Sequence, residues 1–161
     1  MDDDLFSKAC DEWDSGNLTV AFNLFLTAAK CDQHSSMLNL AVFYDQGYGT
    51  EKDAKKAFYW YRKAASKGDS AACSNIANNY RKAGNIRKAK FWLKKALTLQ
   101  DDGDAALELA QLYLMIKRKD NYTKALVYLA KAIDSKFISD DSYEEACSLK
   151  NKLLRIIEDG N

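Results

Sequence analysis

The sequence predicts an all-α protein, a right-handed α-solenoid of four helix-turn-helix repeats followed by a C-terminal capping helix. Three observations predict it. First, none of the 161 residues is proline, which suits helices joined by short turns, since proline removes a backbone donor and breaks helix interiors. Second, four segments align: TVAFNLFLTAA (19–29), KKAFYWYRKAA (55–65), RKAKFWLKKAL (87–97) and TKALVYLAKAI (123–133). Their leading alanines, Ala21, Ala57, Ala89 and Ala125, are separated by 36, 32 and 36 residues. Third, KACDEW (8–13), NLAVFY (39–44), NIANNY (75–80) and ELAQLY (108–113) precede them. In these the small residues Cys10, Ala41, Ala77 and Ala110 are followed, three on, by Trp13, Tyr44, Tyr80 and Tyr113. Periods of this length mark stacked supersecondary units.

Each unit therefore has a first helix around the small-then-aromatic segment and a second helix around the alanine pair. The second helices carry another alanine seven residues on (Ala28, Ala64, Ala96, Ala132). Two turns apart, these small side chains line one stripe and let a neighbouring helix approach closely. Bulky residues fill the face between them: Leu24 and Phe25, Trp60 and Tyr61, Trp92 and Leu93, Tyr128 and Leu129. From each leading alanine to the next first-helix small residue is 20, 20 and 21 positions. The repeats cover about 4–33, 34–68, 69–101 and 102–136, within a single domain of residues 1–161. Asn17, Asn85 and Asp120 stand before second helices, and Asp69 and Asp102 before first helices, where they can accept orphan backbone N–H groups. Gly68 suits the left-handed residue that ends a helix. In DQGYGTEKD, Gly47 is expected to leave the helix with positive φ and Gly49 to allow a second bend. Tyr48 then folds back over the pair, and Thr50 with Asp53 starts the next helix as a capping box. The capping helix, about 140–158, aligns Ala146, Leu149, Leu153 and Ile157 on one face.

The spacing resembles the tetratricopeptide class, and repeat two resembles its Sel-1-like subclass. That pattern runs from an alanine- and leucine-rich helix through G-x-G to D-x-x-K-A-x-x-W-x-x-K-A-A-x-x-G; here it reads LAVFYDQGYGTEKDAKKAFYWYRKAASKGD. Repeat four keeps the long turn, 15 residues from Ala110 to Ala125 against 16 in repeat two, without either glycine. Repeats one and three have short turns, with Gly-Asn at 16–17 and 84–85. The resemblance covers about residues 4–135 and implies that first helices line a concave, ligand-holding groove. Positions −3, +1 and +4 from each small residue are then expected to face it. They are Ser7, Asp11 and Asp14, then Leu38, Val42 and Asp45, then Ser74, Asn78 and Arg81, and finally Leu107, Gln111 and Leu114. This mixture suits a polypeptide partner with a basic anchor and apolar contacts.

The overall charge of +1 conceals segregation: −7 over residues 1–53, +11 over 54–98 and −3 over 99–161. Most of the basic side chains fall on second helices, including Lys55, Lys56, Arg62, Lys63, Arg87, Lys88, Lys90, Lys94 and Lys95. Such a stripe could meet phosphates. The acidic ends oppose a long polyanion and no nucleic-acid motif accompanies the stripe, so a solvated helix face is the better reading. The N-terminal MDDDLFSKAC lacks a basic leader and apolar run, and no stretch approaches the roughly 18 apolar residues of a membrane span. The dispersed Cys10, Cys31, Cys73 and Cys147 read as reduced, mostly buried residues of a cytoplasmic protein. His34 has no local catalytic partner, G-Y-G follows no strand, and Asp11 and Asp14 read as groove acids before cation ligands. No enzyme activity, cofactor or metal site is expected. The expectation is a protein–protein interaction module. Its narrower forms are an inhibitor such as a bacterial immunity protein, or an adaptor bridging two partners.

Overall fold

The computed structural model describes residues 2–159, with only the backbone of Asp2 and Asp3. Among the described residues there are nine α-helices and no strand: α1 (Asp2–Asp14), α2 (Leu18–Lys30), α3 (His34–Gln46), α4 (Ala54–Ser66), α5 (Ser70–Lys82), α6 (Ile86–Leu99), α7 (Gly103–Leu114), α8 (Lys119–Asp134) and α9 (Asp140–Asp159). The helix-pair solenoid class predicted by the alanine register is the fold that forms. The chain divides into two compact units, residues 1–76 and 77–161, with the division inside α5.

In the first unit α1 packs on α2, α2 on α3 and α3 on α4. Ala21, Ala28, Ala57 and Ala64 are buried, as the stripe requires. The larger core residues form a chain of rings. Trp13 meets Phe43 edge-on at 5.1 Å between centroids, Phe25 meets Phe43 at 5.2 Å, and Tyr48 caps Phe43 at 5.6 Å. Phe25 and Phe43 are fully buried, and such a ring contributes roughly 1.5–3 kcal/mol by leaving water. Asp32, at φ 68 after α2, is paired with Lys67, which follows α4.

The long turn of repeat two is fixed by sterics. Gly47 (φ +79) is the left-handed C-cap of α3. Gly49 (φ +61) lies against the start of α2, where a Cβ would sit 2.2 Å from the Leu18 carbonyl oxygen. Thr50 does not cap the next helix. Asp53 is the N-cap of α4, its carboxylate accepting from the Lys55 and Lys56 amides at 3.0 Å each. Two other expected caps also differ. Asn17 precedes α2 but its amide donates to Glu12 instead. Asp120 lies inside α8, whose N-cap is Arg118. Lacking glycines, repeat four converts its extra length into helix, and α8 has 16 residues against 13 in α4. Asn85, Asp69 and Asp102 accept from the Lys88, Ala72 and Ala105 amides as expected.

In the second unit α6 packs on α7, α7 on α8, and α9 on both α8 and α7. Ala89, Ala96, Ala125 and Ala132 are buried with Leu93 and Leu129. The segment before α9 is stitched to the start of α7: Gly103 donates to the Phe137 carbonyl at 2.8 Å, and Ser139 donates to the Asp104 carboxylate at 3.0 Å. On α9, Ala146 and Leu153 are buried and Leu149 and Ile157 are half-buried, on the face the sequence marks.

Candidate functional site

The first-helix positions meet different fates in the two units. On α1, Ser7, Asp11 and Asp14 are exposed, and on α3, Leu38, Val42 and Asp45 are half-buried. Asp11 and Asp14 form no ion pair among the described residues. Burial first, then Asp14 and Asp11, push the Cys10 thiol above its ordinary range, so it stays protonated beside them. Ser74 is half-buried with its hydroxyl unpartnered.

In the second unit these positions bridge neighbouring first-type helices. Arg81, at the end of α5, reaches Glu108 on α7 with Nε 3.0 Å from Oε1, and donates to Asn78 at 2.9 Å. An ion pair should lower the Glu108 carboxyl, yet burial holds it above its ordinary range; desolvation outweighs the exposed guanidinium. Gln111 on α7 donates to Glu145 on α9 at 2.8 Å. Leu107 is 4% exposed and belongs to the core, so it does not line a groove. Leu114 packs with Leu149 and Leu153 around a cleft of about 220 Å³. The physical reason is α9, which packs on α7 as a further first-type helix would. Of the expected surface in this unit, Asn78 and Arg81 are the residues left beside α7 rather than under α9.

The second helices show a regularity not combined from sequence. In repeats two, three and four the lysine just before the leading alanine lies over the tyrosine of its own repeat: Lys56 over Tyr44 at 5.2 Å, Lys88 over Tyr80 at 5.0 Å, and Lys124 over Tyr113 at 5.8 Å. Repeat one has Val20 there. These contacts fall in the cation–π range. Much of the basic stripe is thus laid on aromatic rings. Tyr113 is also approached by two lysines of α6, Lys90 at 4.3 Å and Lys94 at 5.8 Å.

The Sel1 repeat family model matches residues 34–69, 71–101 and 103–137. The chain belongs to the Sel1 repeat family. Among solved structures it is similar to a Sel1 repeat protein from Oxalobacter formigenes, with 24% identity and a TM-score of 0.70 over 80% of this chain and 55% of that one. It is also similar to a protective antigen of uropathogenic Escherichia coli displaying an SLR fold, at 28% identity and TM-score 0.65 over 71% of this chain and 25% of that one. A tetratricopeptide repeat protein from Parabacteroides merdae matches 98% of this Sel1 repeat chain at 19% identity and TM-score 0.67, over 61% of its own length. The chain thus spans from a quarter to about three fifths of these relatives. No curated protein is detectably similar to it in sequence. Among the described residues no helix is long and apolar enough to cross a membrane.

Proposed function

We propose that this Sel1 repeat chain is a non-catalytic module that binds a segment of a partner polypeptide on the first-type helices of its N-terminal unit. The observation that carries the reading is the pair α1 and α3, which keep Ser7, Asp11 and Asp14 exposed and Leu38, Val42 and Asp45 only half-buried. A partner with a Lys or Arg against the two aspartates and an apolar side chain against Leu38 and Val42 matches them. Packed helix pairs present such a surface preformed, so binding loses little ordering entropy in the receptor. Asn78 and Arg81 of the second unit are a separate candidate contact, tested by itself.

The test is affinity capture of the partner from the native cell, followed by calorimetric titration of the purified partner. Asp14→Lys should weaken binding by about tenfold or more, as loss and reversal of a partner-facing charge does, while leaving the helical content intact. Arg81→Glu should weaken it as well, with a loss of stability because two carboxylates then face each other. Unchanged affinity in Asp14→Lys would remove the α1 and α3 surface from the site, and unchanged affinity in Arg81→Glu would remove Asn78 and Arg81. Two finer roles fit such a module. A toxin-neutralising inhibitor protects cells that co-express the toxin, whereas an adaptor holds two partners at once in a sizing column.

A further inference from the structure

A cleft of about 440 Å³ lies between α6 and the end of α7 in the second unit. Its floor is the Tyr113 ring, which is 8% exposed and stacked on Tyr128 at 5.8 Å with an interplanar angle of 5°. Its apolar walls include Phe91 and Ile116, which are 61% and 51% exposed. With Ile86 they make an apolar rim to the cleft. Arg87, Lys90 and Lys94 line the same cleft, and Lys124 approaches the floor from α8.

These cations are uncompensated. Among the described residues none of the four forms an ion pair, and Asp120, the acid one turn before Lys124, is turned to Arg118 at 4.0 Å. The cleft lining contains no carboxylate. The ring face relieves part of the mutual repulsion of three ammonium groups but supplies no negative charge. The Tyr113 hydroxyl keeps the Lys94 ammonium above its ordinary range.

The geometry points to a docking cleft for an acidic peptide segment of a partner protein, its carboxylates between Arg87, Lys90 and Lys94 and one large apolar side chain against Phe91 and Ile116. Charge complementarity selects this occupant, and the apolar wall favours a peptide over a nucleic-acid backbone, which would leave Phe91 and Ile116 uncovered. The cleft uses second-type helices and does not rest on the first-helix reading above.

The probe is the peptide Glu-Glu-Phe-Glu-Glu, titrated into the isotope-labelled full chain and followed by backbone amide shifts. Shifts should concentrate at Arg87–Lys94 and Ile116. The Lys90→Gln, Lys94→Gln double variant should bind about tenfold or more weakly, as expected when close charge partners are lost. Phe91→Ser, at an exposed position, should bind several-fold more weakly with an unchanged fold. The all-glutamine analogue should lose binding to a similar extent as the double variant. Absent shifts, shifts elsewhere, equal binding of the glutamine analogue, or unchanged affinity in the double variant would each overturn the proposal. So would an oligouridylate that shifts the same residues with higher affinity than the peptide.

Discussion

Gly49→Ala tests the closeness of the repeat-two turn to the start of α2. An added Cβ would stand 2.2 Å from the Leu18 oxygen, 2.4 Å from its carbonyl carbon and 2.6 Å from the Thr19 nitrogen. A carbon tolerates a carbonyl oxygen at about 3.3 Å, so the turn or the helix start must move by about 1 Å. These neighbours are backbone and cannot swing aside. The positive φ adds about 1–2 kcal/mol, and forced overpacking about 1–3 kcal/mol, so the expected loss is about 2–5 kcal/mol. Gly16→Ala is the internal reference: φ is +80 there too, but nothing lies within 4 Å of its added Cβ, so only the backbone cost of about 1–2 kcal/mol applies. For a unit of this size each kcal/mol moves Tm by about 4–8 °C. The assay is urea unfolding followed by Trp13 fluorescence with Trp60 and Trp92 replaced by Phe. If Gly49→Ala costs no more than Gly16→Ala, the steric account of this turn is wrong.

Phe43→Ala removes the ring that Trp13, Phe25 and Tyr48 share; it should cost about 3–5 kcal/mol and red-shift Trp13 emission, and an unshifted spectrum would contradict the ring chain. Asp102→Ala removes the acceptor for the Ala105 amide and should cost about 1 kcal/mol in a thermal melt; no change would mean that the cap contributes nothing. Glu108 is raised by burial above its ordinary 4.5, so the native state holds that proton more tightly than the unfolded chain. The stability this confers is present below the unfolded value and is lost as pH rises through the folded one. Comparing urea midpoints near pH 4 and near pH 7, the difference between parent and Glu108→Gln should move in the parent's favour at the lower pH; movement the other way refutes the assignment.

The helix pairs were legible because close helix approach leaves no substitute for a small residue: Ala21, Ala57, Ala89 and Ala125 recur in sequence and are all buried. Gly47 and Gly49 were legible as a turn for the same kind of reason, though the contact of Gly49 with Leu18 was not, since it joins residues of different repeats. The Arg118 cap left no trace because its side chain makes no capping bond. Leu107 and Gln111 look like surface residues on a helical wheel, and only the packing of α9 on α7 decides otherwise. The cysteines were expected to be mostly buried, but only Cys73 is; Cys10 and Cys147 are half-buried, and Cys31 is exposed because it is the C-cap of α2 and lies past the packed stripe. The lysines around Tyr113 were visible singly. Their convergence needed α6 set against α7 and α8.

The contact between Gly49 and Leu18 also limits how this array can be divided. Family similarity begins at residue 34, which invites treating the first helix pair as a detachable leader. The turn of the next pair is shaped around that leader, and Tyr48 rests on Phe43 and Trp13 together. A fragment cut at residue 34 would open one side of the Phe43 core and leave Gly49 without the α2 backbone it lies against. Repeats one and two are therefore a single structural block. Recombination or trimming that respects repeat periodicity but separates them should yield a misfolded piece, whereas moving the two as one cassette preserves the joint.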